Sequence, residues 1–287
     1  MFTPEQYDDH SYMLEQLKKA QDADSDNRDK VREVQAFLNK EGGQWEDHLW
    51  RAADGKPRYT YDLSTPIIDQ ISGAMERSDF DVKVSPAGGE ATKDIAQTYD
   101  GLVRNIETLS NATQIYNASG RRMVSTGMDG WRIVQKYADG DSFDQDLMVE
   151  RVGNFVDRVW FGSFEEPDAS DSTEAWVLTG MDKEEHKRRY PDASAAPIGI
   201  DKKANFYFHR KDLIPVGEFL YIKEVPRELI LMSNDAVYEA SEDFDKIVDE
   251  LRELGITEVR RRQRKKRITC TREFDNSGWL GKAKETV

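Results

Sequence analysis

The sequence predicts an α+β fold in which a helix-rich mixed region precedes a strand–helix–strand module. Apolar residues recur at helical spacing through much of residues 1–126. Strand-like segments become frequent from Trp131 onward, and β-forming residues dominate after Pro197, interrupted by one amphipathic helix. This change in the sequence pattern predicts a domain boundary between about residues 194 and 205. We therefore expect an α/β region over residues 1–200 and a compact module over residues 201–287.

Composition narrows the possible functions. The 287 residues are enough for one large or two ordinary domains. The net charge of −14 argues against sequence-specific binding of duplex DNA, although an acidic wall would still let DNA slide past it. Cys270 is the single cysteine, so no intrachain disulfide forms and a reducing compartment is expected. No apolar run approaches the ~20 residues that span a bilayer, so we expect a soluble protein made inside the cell.

The first 41 residues predict two helices joined by an acidic linker at 22–30. Four carboxylates there have the spacing of positions 1, 3, 5 and 12 of an EF-hand calcium loop: Asp22, Asp24, Asp26 and Glu33. Asn27 occupies the position that requires glycine, and Asp29 occupies that of the apolar anchor. An inter-helix linker that caps the second helix is therefore the favoured interpretation, with a calcium loop as the alternative.

The next segment predicts helices followed by a hairpin. A helix begins near Asp62 or Ser64, a strand covers Phe80–Val84, and a long helical stretch follows from Glu90. Its apolar residues are spaced by four, three, four and three positions: Ile95, Tyr99, Leu102, Ile106 and Leu109. Within this stretch, residues 119–122 predict a kink or surface turn. A strand then covers Trp131–Tyr137.

The remaining candidates for catalysis or metal binding are weak. Four carboxylates after Tyr137 suit magnesium, but a hairpin loop between Tyr137 and Leu147 explains them without a metal and is the favoured interpretation: Asp139, Asp141, Asp144 and Asp146. Neither a GxxxxGK[ST] nor a GxGxxG phosphate-binding loop occurs. The four histidines are far apart in sequence and have no metal-binding spacing. We therefore predict a non-enzymatic protein without a cofactor or a metal.

Local sequence signals predict the elements of the module over residues 201–287. Leu220–Met232 predicts a strand, and the next four residues predict a hairpin turn into a short strand. Ser241 is a good N-cap for a helix whose apolar face extends to Leu254, and Gly255 suits the C′ position. An extended segment then covers 256–274, and a turn follows at 275–278.

A run of cations in this last strand is the strongest local anomaly. Seven of its eight residues are basic: Arg260, Arg261, Arg262, Arg264, Lys265, Lys266 and Arg267. On a strand, the side chains alternate between two faces, so both faces of the segment carry positive charge. Docking on an acidic protein surface is the favoured interpretation. Contact with nucleic acid and a solvated edge strand whose charges prevent aggregation are the alternatives.

Several phrases resemble, in order, the portal proteins of short-tailed, podovirus-type phages. The most informative covers residues 149–193, where two short strands surround the phrase FEEPDASDS and a short helix ends at Tyr190-Pro191. The other matching phrases are Gln44–Asp47, Tyr61–Val84, Thr126–Ile133, Glu218–Pro226, Gly255–Thr271 and Gly278–Leu280. The likeness extends over nearly the whole chain.

The resemblance implies a portal-type fold with a helix-rich wing over residues 1–200 and a clip-like, stem-proximal module over 201–287. It further implies a subunit of a ring of about twelve copies that encloses the DNA channel at one vertex of the virion and assembles in the host cytoplasm. The expected partners are other copies of the chain, the terminase packaging motor, tail adaptors, capsid and scaffolding proteins, and double-stranded DNA in passage.

Because family members are roughly twice as long, the resemblance implies that this chain corresponds to their N-terminal portion, and we expect the C-terminal stem helix, the remaining wing and the crown to be absent from it. The alternative function is a head–tail adaptor or scaffold that acts only by binding.

Overall fold

The helices and the first hairpin form one of two compact units. The computed structural model describes residues 6–39, 48, 61–78, 82–87, 92–193 and 213–286. Residues 22–158 make up the first unit, here called the helical unit. Residues 1–21 and 159–287 make up the second, here called the sheet unit.

The helices of the helical unit begin and end where local chemistry requires. Helix α1 covers His10–Asn39, and its residues from 22 onward belong to this unit. The other described helices of the unit are α2 (Ser64–Glu76), α3 (Lys93–Ser110) and α4 (Ala112–Thr126). The Asp62 carboxylate accepts hydrogen bonds from the backbone at the start of α2, and the Thr92 hydroxyl caps α3. Asn111, which has a left-handed backbone, separates α3 from α4. The predicted helices from residue 62 to residue 126 are therefore confirmed.

A single continuous helix replaces the two helices predicted for the N-terminal region. Residues 22–30 lie within α1 and not in a linker. The buried Arg28 guanidinium donates to Asp24 at 2.7 Å and to the Val156 carbonyl oxygen. One turn later, Arg32 donates to Asp157. These long-range bonds hold one side of the polar stretch against the end of the unit, with Arg28 buried and Asp22, Asp26 and Lys30 exposed, so the predicted linker was wrong.

Two further predictions for this unit were also wrong. In the segment predicted as a strand, Phe80–Val84, the described residues 82–84 are not in a β-strand. There, the Val84 N–H donates to the Asp100 side chain. Residues 119–122, predicted as a kink or turn, lie inside α4 with Ser119 buried. The Gln44–Asp47 phrase lies outside the described residues.

The hairpin that follows α4 is confirmed. Strands β1 (Trp131–Tyr137) and β2 (Gln145–Arg151) pair antiparallel, with Trp131 opposite Arg151 and Tyr137 opposite Gln145. The four aspartates after Tyr137 lie in the loop of this hairpin or just beyond it. A 3₁₀ turn at Phe155–Asp157 ends the unit.

The sheet unit is built on a six-stranded antiparallel sheet. Its elements are β3 (Val159–Phe161), β4 (Glu174–Met181), α5 (Lys183–Arg189), β5 (Ile214–Met232), β6 (Val237–Glu239), α6 (Glu242–Glu253), β7 (Glu258–Phe274) and β8 (Lys284–Thr286). The strand order is β3-β4-β5-β7-β8, with β6 on the distal part of β5. Because β4 and β5 pair over eight residues, the sheet extends to both sides of the boundary predicted near residue 200.

Stacked aromatic rings fill the core on one face of this sheet. Trp176 stacks on Phe219 at 5.3 Å between ring centroids, and Phe219 stacks on Tyr221 at 5.1 Å. Tyr7 stacks on Tyr221 at 4.5 Å, so the N-terminal segment covers this face. The other buried members of this cluster are Met13, Leu17, Trp160, Leu178, Ile268, Cys270 and Phe274. Six of the eleven buried residues in this cluster are aromatic, and each large ring buries much apolar area, which helps a chain with a low hydrophobic share to build a core.

The turn and the cap predicted in the sheet unit are confirmed. The Asp275 carboxylate accepts from the N–H of Ser277 at 2.7 Å and of Gly278 at 3.1 Å, which closes the predicted turn. The Ser241 hydroxyl accepts from the Phe244 N–H at the start of α6, and Gly255 has φ +76° after its end. Leu254 is 75% exposed and does not belong to the apolar face of this helix, contrary to prediction.

Candidate interaction surface

Strands β5 and β7 extend beyond the rest of the sheet as a ribbon. The pairing of β4 with β5 ends at Tyr221, and the pairing of β8 with β7 reaches only Thr269. Beyond these points, residues 223–232 and 258–268 pair with each other, and β6 is the further described strand beside them. We call these two segments the basic ribbon, since they include all seven predicted cations. At about 3.3 Å per residue, it is roughly 30 Å long.

The register of the basic ribbon assigns each cation to one of its two faces. Residues directly opposite each other in an antiparallel pair share a face. Arg260, Arg262, Arg264 and Lys266 lie opposite Leu231, Leu229, Arg227 and Val225. We call this the cationic face. Arg261, Lys265 and Arg267 lie opposite Ile230, Pro226 and Glu224 on the other side, which we call the paired face.

Carboxylates of the same chain neutralise two cations of the paired face. Arg261 donates to Glu228 at 3.0 Å and makes two bonds to Glu258, at 2.7 and 2.9 Å. These bonds hold the pKa of Glu258 below its ordinary value. Lys265 donates to Glu224 at 2.9 Å. The paired face is therefore largely neutralised within the chain.

Helix α6 covers the distal end of the paired face. Ile230 and Met232 point to this side of β5 and are buried together with Phe244 of α6. Tyr238 of β6 adds an aromatic contact with Phe244 at 5.4 Å. Apolar packing thus occupies one side of the ribbon, which orients the other side outward.

The cationic face lacks this compensation. Within the part of the chain that the structure describes, none of its four β7 cations has a carboxylate within salt-bridge distance. Arg227 lies directly opposite Arg264, and its contact with Glu239 is long, at 3.8 Å. Like charges opposite each other destabilise a strand pair. An anionic partner would relieve that repulsion.

A family comparison identifies the kind of protein that carries this ribbon. A sequence model of the phage P22-like portal proteins matches residues 14–287, which includes the whole ribbon and the helical unit. The chain belongs to the P22-like portal protein family. The predicted resemblance to phage portal proteins is thereby confirmed, and this family is a structural, non-enzymatic class.

A curated relative supports the assignment. The portal protein of Acyrthosiphon pisum secondary endosymbiont phage 1 is 23% identical over 295 residues, covering 96% of this chain. The alignment covers 40% of that relative, so this portal-family chain spans less than half of its length.

The other candidates from the sequence do not form a site in the described part of this portal-family chain. The EF-hand spacing lies on the continuous helix α1, where a calcium-binding loop does not form. Of the four aspartates near the β1–β2 hairpin, Asp139, Asp141 and Asp144 are exposed and Asp146 is half-buried. Among the described residues, no three histidine, cysteine or acidic side chains are grouped to hold a metal ion. No described helix is long and apolar enough to cross a membrane.

Sequence reasoning missed the residues of β5 that complete the ribbon surface. Glu224 and Glu228 neutralise the paired face, and Arg227 adds a fifth cation to the cationic face. The alternation of charges in KEVPRE (residues 223–228) was a visible signal. Its meaning depends on the register with β7, and that register is set by the 25 residues between the two strands.

Proposed function

We propose that this chain is part of a phage portal subunit that forms a closed ring of about twelve copies. The ring encloses the DNA channel at one capsid vertex and serves genome packaging, head–tail joining and genome ejection. The family match over residues 14–287 carries this proposal. In a ring, each copy presents two different surfaces to its two neighbours, and the rotation between copies closes.

The proposal extends to regions and partners. Residues 1–200 supply wing structure, and residues 201–287 supply a clip-like module that projects the basic ribbon. Copies of the chain, the packaging motor, tail adaptors, capsid and scaffolding proteins are the protein partners, and duplex DNA passes through without sequence-specific contact. The particle forms in the host cytoplasm and the ring remains in the virion.

The basic ribbon acts in this proposal as a protein-docking element. Half-buried Leu229 and Leu231 lie among the cations of the cationic face. A face that mixes apolar and cationic side chains is complementary to a protein surface that carries both apolar groups and carboxylates. A phosphate backbone would bind the cations but would make no apolar contact with the leucines. The chain's net charge of −14 also works against a strong general affinity for DNA.

Native mass measurement of the full-length protein tests the ring. We expect a closed species near twelve subunits, visible as a ring with cyclic symmetry by electron microscopy. A full-length protein that stays monomeric at high concentration would contradict the proposal. A monomer that binds to a ring made by another protein would support the alternative of a head–tail adaptor.

Charge reversal tests the ribbon. The double variant Arg262→Glu, Arg264→Glu should lose attachment of an acidic protein partner, and added salt should weaken the wild-type interaction through screening. The matched control is Lys187→Glu, Arg188→Glu on α5, which changes the net charge equally at exposed positions. Normal protein attachment together with loss of a steeply salt-dependent DNA affinity would favour the nucleic-acid interpretation instead.

A further inference from the structure

The sheet unit carries a second charged surface, of the opposite sign. The turn between β3 and β4, residues 163–172, holds four exposed carboxylates: Glu165, Glu166, Asp168 and Asp171. We call it the acidic turn. Among the residues that the structure describes, none of these carboxylates has a cation within salt-bridge distance. Phe164 lies among them and is 46% exposed.

Hydrogen bonds within the acidic turn give it a defined shape. The Asp171 carboxylate accepts from the backbone N–H of Glu165 at 2.7 Å and of Glu166 at 3.3 Å. Asp168 accepts from the Ser170 N–H at 3.1 Å. Hydrogen bonds from the side chain and the backbone of Ser170 lower the pKa of Asp168, and the two backbone bonds lower the pKa of Asp171. The side chains of Glu165 and Glu166 are exposed at the tip of this ordered turn.

The acidic turn lies on the opposite side of the sheet from the cationic face. Ala169 and Ser172 of the turn line a concavity of about 160 Å³ together with Leu220, Ile222 and Thr269. Leu220 and Ile222 alternate with Phe219 and Tyr221, which point to the aromatic core on the side of the cationic face. The two charged surfaces therefore face away from each other and do not meet within one chain.

We propose that the cationic face of one copy binds the acidic turn of a second copy. The two surfaces are complementary both in charge and in apolar groups. The cationic face carries cations together with Leu229 and Leu231, and the acidic turn carries carboxylates together with Phe164. Two different surfaces on opposite sides of one sheet make a heterologous contact, which repeats from copy to copy. This inference rests on the proposed ring, for which it names a contact between neighbouring copies.

A charge-swap experiment with two variants of this chain tests the contact. Variant one carries Arg262→Glu and Arg264→Glu, and variant two carries Glu165→Arg and Glu166→Arg. Each variant alone places like charges at the contact, so its self-association, measured by sedimentation equilibrium at low salt, should weaken roughly tenfold or more. An equimolar mixture should recover association, because the intact cationic face of variant two meets the intact acidic turn of variant one.

The control variant Lys187→Glu, Arg188→Glu should associate like the wild type. The contact is refuted if the mixture associates no better than the separate variants, if either variant alone matches the wild type, or if the wild-type chain stays monomeric at low salt. Ring formation is measured separately, by native mass measurement of the full-length protein. Rings that survive both reversals overturn this contact and leave the proposed function standing, whereas a wild type without rings overturns the proposed function.

Discussion

Replacing Gly217 with alanine should destabilise the sheet unit through one identifiable clash. Gly217 of β5 lies directly opposite Phe274 of β7, whose aromatic ring covers the glycine. A Cβ atom at residue 217 would lie 2.2 Å from Cζ and 2.3 Å from Cε1 of that ring. Phe274 is fully buried and contacts Trp279 at 6.3 Å between centroids. The ring therefore has little room to move away.

The size of the effect follows from this overlap. Overpacking a core costs about 1–3 kcal/mol, and we expect the upper end because the ring is enclosed. Phe274→Ala alone should cost about 3–5 kcal/mol through the cavity that it leaves. With the ring removed, however, Gly217→Ala should cost under about 0.5 kcal/mol. The two changes should therefore be coupled by about 2 kcal/mol or more in a double-mutant cycle.

Urea unfolding followed by tryptophan fluorescence measures the cycle, because Trp160 and Trp176 are buried in the core concerned. Gly281→Ala is the matched control in the same unit, since a Cβ there meets nothing within 4 Å. If Gly217→Ala costs no more than Gly281→Ala, or if its cost is unchanged in the Phe274→Ala background, the close-packing argument is wrong.

Three other predictions address a cap, a buried acid and the acidic part of α1. Ser241→Ala should destabilise α6 by about 1 kcal/mol by denaturant unfolding, while Ser241→Asp should keep the stability; equal losses in both would contradict a capping role. Burial raises the pKa of Glu174 above 4.5 in the folded state, so its ionisation opposes folding above that pH. The stability of the wild type relative to Glu174→Gln should accordingly rise as the pH falls from 7 toward 4.5, and a pH-independent difference would contradict this. Calcium titrated calorimetrically should show no site tighter than about millimolar at residues 22–33, and micromolar binding abolished by Glu33→Gln would overturn the helical interpretation.

Short-range chemistry made the distal part of the sheet unit predictable. The turn at 233–236, the Ser241 cap and the left-handed Gly255 each depend on a few neighbouring residues. The extended segment predicted over 256–274 forms β7 from residue 258 onward. These elements formed as expected because no distant contact opposes their local preferences.

The N-terminal helix shows where such reasoning stops. Residues 22–30 look like a solvated linker because they contain few apolar side chains. Their packing depends on Arg28 and Arg32, whose acceptors Val156 and Asp157 are more than 120 residues away in sequence. A local pattern does not report a partner at that separation, so the continuity of α1 was not predictable.

The candidate interaction surface was predictable in part. The sequence indicated the seven cations and their alternation between two faces. It did not indicate that Glu224 and Glu228 neutralise one face, because their position opposite the cations depends on the pairing of β5 with β7. The difference between the two faces, on which both proposals depend, is thus a property of the folded sheet.

The N-terminal segment of the sheet unit contacts residues 275–279, and these contacts constrain folding during synthesis. The His10 ring lies 2.8 Å from the Asp275 carbonyl oxygen, and the Trp279 indole N–H donates to the Asp8 carbonyl oxygen at 2.9 Å. These contacts join residues more than 260 positions apart, so loop closure between them is slow. The ribosome makes residue 8 long before residue 279. Tyr7 and Met13 are therefore synthesised well before the aromatic residues of β5 against which they pack, so the core of the sheet unit can form only after the helical unit has been synthesised.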